Sequence, residues 1–105
     1  MSTNRTLQLG AAMALVELLK DYPSLAVGSW SIDTVTGSLY GHLHGADFAA
    51  LDGYAVALGG SIRPGRDYEH LGQVLRPHYL YTVWRDVQVT VALVLPAPVA
   101  KAVAA

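Results

Sequence analysis

The stretch that decides the fold is residues 25–44, LAVGSWSIDTVTGSLYGHLH. Residues 25–32 read as a strand, and from Ala26 to Ile32 the side chains alternate. Ala26, Gly28, Trp30 and Ile32 fall on one side, and Val27, Ser29 and Ser31 on the other. That period of two is a strand signal. Asp33-Thr34-Val35-Thr36-Gly37 follows. Asp and Thr side chains bond turn amides, and Gly accepts the positive φ that a short hairpin loop needs. Residues 38–44 then return as a second strand, with Leu39, Gly41 and Leu43 on one face and Tyr40, His42 and His44 on the other. Gly28 and Gly41 both lie on the apolar face. Small residues there leave room for a ring such as Trp30, or for a closely packed helix.

Helical periodicity flanks this hairpin. Across residues 6–22, Ala11, Ala12, Leu15, Leu18, Leu19 and Tyr22 share one face. Thr3 or Thr6 can cap the start, and Pro23 ends the helix by forcing Tyr22 out of the helical region. A second stripe, Leu9, Met13 and Val16, lies on the opposite side. A helix apolar on two sides is buried on both or meets another chain. Residues 46–58 form a second helix. Its buried stripe is Phe48, Leu51, Tyr54, Ala55 and Leu58, Asp47 complements its N-terminal dipole, and Gly59-Gly60 stops it.

Residues 61–95 read as a three-stranded meander. Its first strand, 61–70, is ragged, and Pro64-Gly65 marks a bulge or edge. Leu71-Gly72-Gln73 makes a turn, and strand 74–84 ends in an Arg85-Asp86 reversal. Strand 87–95 carries Val87, Val89, Val91, Leu93 and Leu95 on one face, and Val94 makes its other face apolar towards the end. Residues 96–105, PAPVAKAVAA, read as a loose tail. The order is α-β-β-α-β-β-β. The expectation is an α+β fold with a mostly antiparallel five-stranded sheet and both helices on one face. Residues 1–95 make the single domain, and no parallel crossover is required.

Composition narrows the function classes. The 105 residues are 52% hydrophobic and only 14% charged, with a net charge of −1. Intrinsic disorder is excluded by so apolar a chain. A global electrostatic attraction to nucleic acid or anionic membrane has no basis. With no Cys, disulfide scaffolds, thiolate zinc sites and Cys nucleophiles are excluded. Arg5 before an apolar run resembles a signal peptide, but Glu17 and Lys20 interrupt that run and helical periodicity explains it better. The expected location is cytoplasmic.

Three constellations compete for chemistry. His42 and His44, at i and i+2 on a strand, point to one face and can reach one divalent ion, as a metal-dependent enzyme would require. Arg63, Arg66, Arg76 and Arg85, with Tyr79 and Tyr81, offer phosphate contacts and stacking for nucleic acid or a small ligand on the open sheet face. The run Arg66-Asp67-Tyr68-Glu69-His70 is dense in polar groups, but strand alternation separates its carboxylates from His70. No phosphate-binding glycine loop, nucleophile elbow or cofactor motif is present. The leading expectation is non-enzymatic association as a homodimer. Its interface is Leu9, Met13 and Val16 on the first helix together with Val94 on the last strand, because the helices cover only one sheet face.

Overall fold

The computed structural model describes residues 3–45 and 47–98. The elements are α1 (Thr3–Asp21), β1 (Gly28–Ile32), β2 (Leu39–Leu43), α2 (Phe48–Leu58), β3 (Ser61–Pro64), β4 (Tyr68–His70), β5 (Gln73–Trp84) and β6 (Val87–Pro96). The strands form one six-stranded sheet in the order β1-β2-β6-β5-β3, and β4 also pairs with β5. The α+β class and the mostly antiparallel sheet are therefore present, with two differences of detail.

First, the ragged strand is two strands, so the sheet has six rather than five. Pro64 lacks a backbone N–H, and Gly65 donates its own to the Pro77 carbonyl at 2.7 Å. A side chain at Gly65 would collide with Pro77 and Tyr79. The ladder breaks there and resumes at Tyr68 on the same strand, β5.

Second, β2 and β6 are parallel, with Leu39 opposite Val89 and Leu43 opposite Leu93. The chain leaves β2, crosses through α2 to the far edge, and fills the gap last with β6. The cause is hydrophobicity. VQVTVALVLP is the most apolar strand of the chain, and the middle of the sheet buries Val89, Val91, Ala92 and Leu93. The expected tail also shortens. Pro96 pairs with Leu75, and the Ala97 N–H donates to the Val74 carbonyl at 2.9 Å. The rest of the expected tail, 99–105, lies outside the described residues.

One face of the sheet presents Leu39, Leu43, Leu80, Val89, Val91 and Leu93. Against them pack Ala11, Ala14 and Leu18 of α1, and Leu51 and Tyr54 of α2. Both helices thus lie on this face. Polar tips entering the layer find partners: Trp84 Nε1 donates to the Ala14 carbonyl at 2.9 Å, and the Tyr54 hydroxyl donates to the Ala26 carbonyl. Two residues placed in the buried stripes are exposed. Leu19 lies on the flank of α1, off the line of Ala11, Ala14 and Leu18. Phe48 sits at the first turn of α2 and meets the His78 ring edge-on at 5.6 Å. Asp47 caps α2, accepting from the Ala50 N–H at 3.3 Å.

The hairpin and its turn form where expected, with shorter strands: β1 begins at Gly28 rather than at residue 25, and β2 runs Leu39–Leu43 rather than 38–44. Asp33 Oδ1 accepts from the Val35 and Thr36 N–H groups at 2.8 and 3.1 Å, and Gly37 has φ 73°. Trp30 lies opposite Gly41, and its ring fills the place where a Gly41 side chain would stand. The β5–β6 turn is different. Arg85 and Asp86 both have positive φ, 50° and 65°, with no glycine present. L-residues reach that region at a cost of about 1 kcal/mol each. Asp86→Gly is expected to raise stability by about 1 kcal/mol in denaturant titration. A loss of stability would mean that Asp86 makes a compensating contact.

Candidate functional site

Two surfaces remain after the core is accounted for. The first is the outer side of α1. About two turns of apolar residues point directly away from Ala11, Ala14 and Leu18. Leu9, Met13 and Val16 are 60, 61 and 55% exposed, with Leu19 beside them at 52%. Within this stretch of helix the charged residues are Glu17 and Lys20, which lie 4.0 Å from each other, and Arg85 borders it in a shallow hollow shared with Met13 and Glu17. At the far end of the helix, Asp21 is bridged to Arg85 at 3.2 Å.

The second is the sheet face that no helix covers. The registers place Ser29, His42, Ala92, Tyr79 and Arg63 in one row across five strands, and Ser31, Tyr40, Thr90, Tyr81 and Ser61 in the next. The Tyr79 and Tyr81 rings lie 6.0 Å apart and tilted. Ala92 is only 2% exposed although it lies on this open side, because its small side chain sits between larger neighbours. Burial first, and then the neighbouring Tyr79 and Tyr81, push the Tyr40 phenol above its ordinary value.

His42 and His44 do come together, with ring centroids 4.3 Å apart. Among the described residues, no group of three or more metal-ligating His, Asp or Glu side chains converges. A cation held here would have to draw further ligands from solvent or from another molecule. Burial first, and then the His44 charge, hold the His42 imidazole below its ordinary 6.5. The folded chain thus resists a proton that the unfolded chain accepts. Stability from this group is complete above pH 6.5 and is lost as the pH falls through the lower folded value. His42→Gln is expected to flatten the fall in Tm between pH 7 and 5. An unchanged profile would assign the fall to other groups.

The four arginines do not form one surface. Arg63 stands on the open face opposite Tyr79. Arg66 is exposed in the link between β3 and β4. Arg76 is on the helix side, opposite Leu95, and grips Asp67 with two hydrogen bonds of 2.6 and 3.0 Å. The Arg76 hydrogen bond holds the Asp67 carboxyl below its ordinary value. Arg85 lies at the opposite end of β5, stacked over Trp84 at 4.9 Å. Of this set, Arg63, Tyr79 and Tyr81 share a surface.

Val94 lies on the open sheet face opposite Pro77, while Leu9, Met13 and Val16 lie outside the helix layer. The four expected interface residues are therefore on opposite sides of the molecule, and one two-fold contact cannot contain them all. Val94 needed only alternation to be placed. Its separation from the α1 stripe depended on both helices taking the same sheet face.

No described helix is long and apolar enough to cross a membrane. Comparison with protein-family models, with curated proteins and with solved structures finds no match to this chain.

Proposed function

We propose that this chain is a non-enzymatic association module that pairs with a second copy of itself through the outer face of α1. One observation carries the reading: Leu9, Met13 and Val16 are each more than half exposed, on the side of α1 opposite the core. Their spacing of four and then three residues is that of a helix–helix seam. The next seam position is Lys20, which ends the apolar run. A short aliphatic seam of this spacing matches another helix, and α1 of a second copy, laid antiparallel about a two-fold axis, supplies the same seam. Burying the exposed half of each such side chain contributes about 1 kcal/mol, on both copies at once. Sedimentation equilibrium between micromolar and millimolar chain tests this. Mass above that of one chain is expected, and monomer at every concentration overturns the reading.

A further inference from the structure

The two edges of the sheet are built differently. At one edge, β3 carries Arg63 and Pro64, the ladder breaks at Gly65, and β4 adds Glu69 and His70. Charges, proline and a break are the devices that stop an edge strand from recruiting another chain. The other edge is β1, GSWSI, which has none of them. Among the described residues no strand pairs with its outer side.

The outward groups can be identified. Asp33 donates its N–H to the Ser38 carbonyl at 2.9 Å. Hydrogen-bonded and non-bonded pairs alternate in an antiparallel ladder, so Ser31 and Ser29 bond to β2. The N–H and C=O groups of Gly28, Trp30 and Ile32 therefore point away from β2. The Trp30 side chain does not shield them, because its ring is folded inward over Gly41.

We infer that β1 is a second self-association edge, pairing antiparallel with β1 of another copy about a two-fold axis at Trp30. In that register Trp30 faces Trp30, Gly28 faces Ile32, and Ser29 faces Ser31. About six hydrogen bonds close between the outward groups. The strand is self-complementary. It has no charge to repel its copy, and the flanking Asp33 meets Val27 rather than another carboxylate. A second copy fits this edge better than a charged partner. The α1 seam lies outside the helix layer and the β1 edge lies in the sheet plane, so one copy can use both. Two different two-fold contacts on one subunit take assembly past the dimer, either to a closed dihedral ring where the two axes intersect at a suitable angle or to an open chain. In both, α1 and β1 contacts alternate.

The inference adds a second contact to the α1 reading, and the test separates them. Four proteins are compared by sedimentation velocity over a hundredfold range of concentration. They are the native chain, Met13→Glu with Val16→Glu, Ser29→Lys with Ser31→Lys, and all four substitutions together. Far-UV circular dichroism and Tm confirm that each is folded, and Ser29 and Ser31 are exposed and tolerate lysine. The native chain is expected to grow beyond dimers. Each pair of substitutions alone is expected to stop at dimers, and the combination at monomers. If the α1 variant is already monomeric, the β1 contact is overturned. If instead the Ser29/Ser31 variant is monomeric and the α1 variant is a dimer, the α1 contact fails and β1 stands. Register is checked in the Met13→Glu/Val16→Glu background, where the α1 contact is removed, by mixing Ser29→Lys/Ser31→Lys with Ser29→Glu/Ser31→Glu. Lysine and glutamate then face each other across the axis, so mixed dimers are expected to form at least tenfold tighter than either parent. No preference for mixing overturns the Trp30-centred register.

Discussion

Gly41→Val is expected to destabilise the fold by about 3 kcal/mol, lowering Tm by roughly 10 °C or more. A Cβ at Gly41 would stand 2.6 Å from Trp30 Cζ3 and under 3 Å from two further ring atoms. The ring cannot move aside cheaply. It packs against the core and meets Tyr54 edge-on at 6.1 Å, and Tyr54 is itself held by its hydroxyl on Ala26. Backbone movement is no easier, since β2 is paired on both sides, with β1 and with β6. Urea titration of four proteins reads the effect: the native chain, Gly41→Val, Trp30→Leu and the double variant. Removing the ring makes room for the valine, so Gly41→Val should cost much less in the Trp30→Leu background. An equal cost in both backgrounds would place the strain in the backbone and not against the ring.

The Trp30–Gly41 contact was legible in the sequence because it is local. Alternation puts both residues on one face, and a short loop fixes which residue faces which. Other features of the same kind were equally readable: the Pro23 end of α1, the Asp33 turn and the interruption at Pro64-Gly65. Features decided by competition over long range were not. Nothing near residues 87–96 says that they pair in parallel with a strand fifty residues earlier. That outcome follows from which strand is apolar enough to occupy the centre of the sheet, and only the assembled sheet makes the choice. The arginines show the same limit. In the sequence Arg76 lies near the start of a strand and Arg85 in the turn just past its end, and twelve-residue β5 holds them apart, where Asp67 and Trp84 take them. The exposed stripe on α1 was predicted from its angle alone. That Val94 lies on the far side of the molecule was a question of which face the helices chose.

Val16→Glu is the substitution expected to act most strongly on association. Val16 is in the apolar seam of α1, between Met13 and the closing Lys20, and more than half of it is exposed. In a two-fold contact one substitution is made twice. Each copy then loses an apolar contact and places a carboxylate in a surface meant to exclude water. A combined cost of at least ~2.7 kcal/mol corresponds to a hundredfold weaker Kd across this contact. The monomer should be almost unaffected, since the core side of α1 is untouched and exposed helix positions tolerate glutamate. Val56→Glu is the matched control. Val56 is even more exposed, at 80%, but it lies on α2 with no apolar neighbour at seam spacing among Asp52, Gly53 and Gly59. If general surface hydrophobicity drives association, the two variants should weaken it alike. If the α1 seam drives it, Val16→Glu alone should shift the sedimentation profile, with both variants keeping the Tm of the native chain. Equal shifts, or none, would remove the seam as the contact.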